Sequence, residues 1–382
     1  MSDLQRVLFY SDAPDYGGHE AMTSEAVSYL CCKNKYAVAF AYYQGNSRLS
    51  ERLDVIRRTS RRLTPIPIPF RSKSLQAIRT FLFQREITRI EALMSRIMPD
   101  IVIVSQGRIE GGSAGLLAAK RVGLRTISYI PMAHPVSISG KPIASSLRDA
   151  LNQYFYRLPD KYITISRGAR DMLRARGVTS EIAVVPNGIE RITLQERDRK
   201  RFREAHGIRR SEYVVAVIGR IDFRQKCQDF ALQATARFRQ ELRNWKFLFI
   251  GDGPDSGRLK KMIGDLKLDE FAVVLPWSPN PAEFYAGIDM LLIPSRFEGV
   301  PLVMLEAMSC RLPIVASDVD GMAESLPKSW LFPYGNSEAM IEKLVGVRAG
   351  DASAFLEENC RQVVSENTFA KFGPRFANAL LG

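Results

Sequence analysis

The sequence predicts an α/β protein made of two Rossmann-like domains whose parallel sheets face each other across a cleft. Two observations carry this expectation. Apolar runs of strand length alternate with amphipathic helical stretches along the chain, the pattern of βαβ units rather than of sandwiches or bundles. A break at Pro186-Asn187-Gly188, followed by the charged stretch "ERITLQERDRKRFREAHGI", separates two such sets. Strands are expected at Val7–Tyr10, Ala37–Tyr42, Ile101–Ser105, Thr126–Ile130, Tyr162–Ile165 and Ile182–Val185. After the break they are expected at Tyr213–Ile218, Lys246–Ile250, Ala272–Leu275, Met290–Ile293 and Ile314–Ala316. The expected division is 1–187, 188–365 and a C-terminal helical segment, 366–382.

Composition narrows the class. With 382 residues, 46% hydrophobic and 25% charged, the chain is long enough for two cores and is not expected to be disordered. No cationic stretch followed by a long apolar segment opens it, so no signal peptide is expected. Runs such as "IVIVS" and "YVVAVIG" fall far short of the roughly 20 residues that span a bilayer. A cytoplasmic protein, soluble or peripheral on the membrane face, is expected. Cys31, Cys32, Cys227, Cys310 and Cys360 lack paired metal-ligand spacing and suit reduced thiols.

Charge is the outlier: 54 Lys and Arg against 41 Asp and Glu leave +13, which favours anionic partners. The excess concentrates between Arg48 and Arg96, where Arg52, Arg57, Arg58, Arg61, Arg62, Arg71, Lys73, Arg79, Arg85 and Arg89 face few acids. A solvated face and a membrane or acceptor site both remain open readings. Ile66, Ile68, Phe70, Leu75, Ile78, Phe81 and Leu82 interleave these cations, and a basic amphipathic helix is expected from about Leu75. No regular aromatic stacking pattern accompanies the cations, so nucleic acid is not an expected partner.

In doubly wound sheets, ligands sit beyond the carboxyl ends of the strands. Beyond Ile218 the segment "GRIDFRQKCQD" carries Arg220 and Lys226 ahead of a helix expected near Gln228. Two cations and a helix N-terminus suit a diphosphate, although a pair of solvated cations fits the fragment alone. Gly251 and Gly253 in "GDGP" shape the next turn. Trp277 follows another strand, able either to hold a flat base or to cap the core. The run "SRFEGVPLVMLEAMSCRLPIVAS" places Glu298 in a loop and Glu306 inside an apolar helix that opens near Pro301. A buried carboxylate needs a partner, and seven residues separate the two acids, so each must serve a different one.

These stretches resemble the retaining glycosyltransferases of family 4, which have the GT-B fold. The resemblance rests on the Glu-x7-Glu pattern of Glu298 and Glu306, on Gly219-Arg220, Lys226, "GDGP" and "VPNGIE", and is strong over roughly 182–325. It implies that Glu306 accepts hydrogen bonds from the two ribose hydroxyls of a nucleotide and that Glu298 contacts the transferred sugar. It also implies that Arg220 and Lys226 hold the diphosphate, with Gly251, Trp277, Gly299, Val300 and Leu302 lining the donor site. The bland alternative for Glu306 is a salt bridge to a core arginine. "DYGGHEA" resembles the family's glycine-rich first loop, where Gly17 and Gly18 let backbone approach a phosphate or acceptor. It lacks the third glycine of a dinucleotide fingerprint, which argues against a dehydrogenase. His19 is read as exposed loop decoration. His134 stands where the family often has a histidine near the donor sugar, with a purely structural role as the alternative; Arg108 and Glu110 are acceptor-site candidates. The resemblance further implies that the C-terminal helix, about Thr368–Leu381, returns to the first domain. Cys227-Gln228 and Arg311 depart from the family pattern at positions where glycine is common.

The implied function is transfer of a sugar from a UDP- or GDP-sugar to a glycan or lipid-linked acceptor with retention of anomeric configuration. A nucleotide-sugar 2-epimerase and a non-catalytic anion- or membrane-binding protein are the alternatives. No metal is expected, because two cations can neutralise a diphosphate and no Asp-x-Asp triplet is assigned to a strand end.

Overall fold

The computed structural model describes residues 4–139, 142–278 and 280–381; the first three residues, Gly140, Lys141, Pro279 and Gly382 lie outside it. It separates into two compact units, Met1–Gly188 with Phe369–Gly382, and Ile189–Thr368.

The first unit holds seven strands: β1 (Gln5–Ser11), β2 (Tyr36–Tyr43), β3 (Leu63–Ile68), β4 (Ile101–Ser105), β5 (Thr126–Tyr129), β6 (Lys161–Thr164) and β7 (Glu181–Val184). All pair in parallel, in the order β3-β2-β1-β4-β5-β6-β7. Strand order reverses between β1 and β4, which opens a crevice at their carboxyl ends. β3 is an addition to the sequence expectation. Its "LTPIPI" reads against a strand because Pro65 and Pro67 cannot donate to a ladder, yet an edge strand tolerates them. The helix Phe369–Leu381 packs on this unit: Phe376 stacks on Phe9 and meets Tyr129 edge-on, and Gly373 lets the helix close onto Tyr29.

The second unit holds β8 (Tyr213–Ile218), β9 (Trp245–Ile250), β10 (Ala272–Leu275), β11 (Met290–Ile293), β12 (Ile314–Ser317) and β13 (Leu331–Phe332), in the order β10-β9-β8-β11-β12-β13 and all parallel. Alternation along β8 explains the two apolar layers. Val214, Ala216 and Ile218 enter one core while Val215 and Val217 enter the other, as a parallel sheet covered on both faces requires. Here the order reverses between β8 and β11. The charged stretch after the break is not a linker. It forms the helix Glu196–Ala205, where buried Arg203 donates to Asp289, to the Gly287 carbonyl and to the Glu212 carbonyl.

Candidate functional site

The switch point of the second unit brings together residues 72 positions apart in sequence, Lys226 after β8 and Glu298 after β11. Lys226 Nζ lies 2.6 Å from Glu298 Oε1, and Glu298 is only 5% exposed. Lys226 also passes over Gly219, 3.6 Å from where a Cβ would stand. Arg220 is exposed and pairs with Asp222 at 3.0 Å. Both candidate diphosphate cations therefore already have carboxylate partners.

Gln228 braces this loop. Its amide donates to the Arg220 carbonyl at 3.0 Å, and its carbonyl oxygen accepts from the Asp222 N–H at 3.2 Å. Cys227 caps the helix Gln228–Arg237 with φ +54, the left-handed region that favours glycine. The next turn is pressed against this one, for a Cβ on Gly251 (φ +145) would lie 2.1 Å from the Gly219 carbonyl oxygen. Trp277 is 38% exposed and tilts against Phe284 at 5.6 Å, so its ring both packs and faces solvent.

Glu306 sits on the helix Leu302–Ser309. Met304, Leu305, Ala307 and Met308 are buried, whereas Leu302, Val303, Glu306 and Cys310 form a half-buried face. The carboxylate thus lies on the half-buried side of this apolar helix. Its partner is the Tyr285 hydroxyl, which donates to Oε2 at 2.7 Å, and not a core arginine. Burial pushes the Glu306 carboxyl above the usual range, and the Tyr285 hydrogen bond opposes that rise. The two acids of the Glu-x7-Glu pattern therefore serve different partners. Gly299 is buried, and Val300 and Leu302 are half-buried against the same core.

The expectation that no Asp-x-Asp triplet follows a strand needs correction: Asp318-Val319-Asp320 begins where β12 ends. Its acids have separate partners. Asp318 pairs with Lys328 at 3.2 Å, and Asp320 Oδ2 accepts from the Glu298 N–H at 2.8 Å. Among the described residues, no group of three or more His, Cys, Asp or Glu side chains is placed to hold a metal ion.

At the first unit's switch point, after β1 and β4, Gly17 caps the helix Gly18–Cys31. Its N–H donates to Glu20 Oε2 at 2.9 Å, and both Gly17 and Gly18 are exposed. His19 is not loop decoration. It lies in the first turn of that helix with its ring 4.6 Å from Tyr129 and Nε2 2.9 Å from Ser105 Oγ, because the helix starts over the end of β4. Nδ1 is buried without a partner among the described residues, and burial lowers the imidazole pKa to about 3. Asp12, at the end of β1, accepts from the Ser72 hydroxyl and from the Gly112 N–H at 2.8 Å; burial raises it to about 6. His134 is half-buried and lines a recess with Arg108, Glu110, Arg148 and Asn152, in which Glu110 pairs with Arg148 through both oxygens.

The comparisons with known proteins agree with this geometry. A family model described as "Glycosyl transferase 4-like domain" matches residues 17–188, and one described as "Glycosyl transferases group 1" matches 212–348. N-acetyl-alpha-D-glucosaminyl L-malate synthase of Bacillus anthracis is 31% identical over 51% of this chain, which spans about half (48%) of that relative's length. Alpha-monoglucosyldiacylglycerol synthase of Acholeplasma laidlawii is 25% identical over 72% of each chain. An Anabaena protein solved in complex with UDP and glucose superposes with a TM-score of 0.78 at 15% identity, covering 99% of this chain and 100% of that one. Two doubly wound parallel sheets, each reversing order at its centre, together with two adjoining glycosyltransferase family matches, place the chain in the GT-B glycosyltransferase superfamily.

Proposed function

We propose that the protein is a retaining glycosyltransferase of family 4 that moves a sugar from a nucleotide diphosphate sugar, UDP- or GDP-linked, to an acceptor hydroxyl without a metal. The observation that carries this reading is the Lys226–Glu298 pair at the switch point. A cation suited to a phosphate and a carboxylate suited to sugar hydroxyls form an ion pair 2.6 Å apart. Arg220 and Lys226 take the diphosphate as the bond from the anomeric carbon to the phosphate oxygen breaks, and they stabilise the charge that develops there. The acceptor oxygen bonds to the same carbon from the face the diphosphate leaves, and its proton passes to a leaving phosphate oxygen. Glu298 positions the sugar, Glu306 takes the ribose diol, and His134 is assigned to the donor-sugar side. The test incubates the protein with UDP- and GDP-sugars and a lipid-linked glycan acceptor in excess chelator, reading product anomers by NMR. Retained configuration, with turnover cut by about 10²–10³ in Arg220→Ala or Lys226→Ala, is expected. Inverted product, loss of transfer on chelation, or release of a free epimer overturns the reading.

An acceptor presented at the cytoplasmic face of an anionic membrane, in envelope polysaccharide or glycolipid assembly, is favoured by one feature of the first unit. Where the helices Gln76–Leu82 and Gln84–Ile97 meet, Leu82 is 70% and Phe83 43% exposed, with the Arg79 guanidinium 4.2 Å over the Phe83 ring and Arg85 and Arg89 exposed nearby. Each cation near an anionic leaflet adds about 1 kcal/mol. Among the described residues no helix is long and apolar enough to cross a membrane. Co-sedimentation with liposomes, with and without anionic lipid at two salt concentrations, is expected to weaken when Arg57, Arg58, Arg61 and Arg62 become Ser and when Leu82 and Phe83 become Ser. Equal, negligible binding in every condition leaves a soluble acceptor.

A further inference from the structure

We propose that Asp320 is a positioning residue for Glu298, holding the loop after β11 so that the Glu298 carboxylate meets Lys226. The proposal deepens the assignment of Glu298 to the donor sugar and rests on it. Three observations support it. Asp320 Oδ2 accepts from the Glu298 backbone N–H at 2.8 Å, the bond that orients the Glu298 backbone. Asp320 adopts φ +47, a left-handed conformation that Asp and Asn tolerate better than most L-residues but still at a cost in strain. Strain of this kind persists where surrounding structure demands it. Gly321 supplies the second contact: its N–H donates to the Gly299 carbonyl at 3.1 Å, and a Cβ there would lie 2.2 Å from that oxygen. Asp320 and Gly321 thus grip Glu298 and Gly299 in register, and Glu298, 5% exposed, has little room to find Lys226 by another route.

The chemistry of the grip requires an acceptor on a residue that tolerates positive φ. Asn meets both needs, since its carbonyl oxygen accepts. Gly meets only the second, because it relaxes the backbone and removes the acceptor. The effect of Asp320 on turnover must also pass through Glu298 rather than add to it.

The experiment compares Asp320→Asn and Asp320→Gly, each alone, with Glu298→Gln and with Lys226→Met. Asp320→Asn is expected to keep kcat within about threefold. Asp320→Gly is expected to lose at least tenfold in kcat while affinity for the free nucleoside diphosphate, measured by calorimetry, changes less than threefold. In a Glu298→Gln background, Asp320→Gly should cost no further turnover. A readout independent of activity is the melting temperature: the drop caused by Lys226→Met should be at least halved in the Asp320→Gly background, where Glu298 is no longer held against the lysine. An undiminished drop overturns the grip even if the protein is not a transferase, whereas absent transfer with the coupling intact refutes only the functional reading. Equal losses in Asp320→Asn and Asp320→Gly, with activity abolished by chelator, would identify Asp320 as a metal ligand instead and overturn the proposal.

Discussion

Tyr285→Phe removes one oxygen, the one that meets the Glu306 carboxylate at 2.7 Å. A hydrogen bond to a charged group contributes about 1.5–3 kcal/mol, or roughly 10- to 100-fold in an equilibrium. Glu306 already stands above the usual carboxylate range because of burial, and the tyrosine is what opposes that rise. Without it the neutral acid is favoured further. The sign for binding follows from the ribose hydroxyls, which donate and therefore need the ionised carboxylate. Nucleotide affinity should fall as pH drops through the Glu306 pKa. A carboxylate has about four acceptor positions, so Tyr285 and a vicinal diol do not compete for the same one. Stability runs oppositely: a raised folded pKa contributes stability at low pH that is lost as pH rises. The assay is calorimetric titration with UDP and GDP across acid to mildly alkaline pH for wild type, Tyr285→Phe and Glu306→Gln. Tyr285→Phe should lose about 10- to 100-fold at pH below the Glu306 pKa and regain affinity as pH rises above it. Glu306→Gln should lose affinity at every pH without recovery. A Tyr285→Phe profile that superimposes on wild type would refute the reasoning.

Lys226→Met leaves the buried Glu298 without its cation and should destabilise by about 3–5 kcal/mol, largely restored by adding Glu298→Gln; chemical denaturation checks this, and a loss below about 1 kcal/mol would place the pair among exposed ones. His19 contributes acid sensitivity. Its folded pKa of about 3 lies below the ordinary imidazole value of about 6.5, so its contribution is present above that value and declines as pH falls towards 3. Between pH 7 and pH 5 this amounts to about 2 kcal/mol. His19→Gln should remove that part of the pH slope, and identical slopes for the two proteins would contradict the buried, neutral ring. Asp12, raised to about 6, acts with the opposite sign between about pH 4 and 6, and cancels when the two proteins are compared.

Period and strand length made most of the sheets readable, because parallel strands buried on both faces are continuous apolar runs. β3 was hidden by its prolines, and β13, with two residues, carries no periodic signal. Residue types and spacing pointed to Lys226, Glu298 and Glu306. Their immediate partners were not legible, since hydrogen bonds between distant loops follow from strand order rather than local sequence. Tyr285 comes from the helix Pro281–Gly287 and Asp320 from the start of the helix Asp320–Ser325 that follows β12. His19 reads as loop decoration in the sequence for the same reason: its partner Ser105 is 86 residues away. The two departures from the glycine pattern acquire meaning only from backbone angles, for Cys227 and Arg311 have φ +54 and +56, where glycine is unstrained.

The central claim is that the second unit holds a nucleotide through Glu306, Arg220 and Lys226. Thermal denaturation of wild type and Glu306→Ala with UDP and GDP tests it most directly. At about a hundred times its dissociation constant, the cognate nucleoside diphosphate should stabilise wild type by about 2.7 kcal/mol. The same concentration should shift folded Glu306→Ala far less. No stabilisation of wild type by either nucleotide, or an equal shift in the mutant, would contradict the claim.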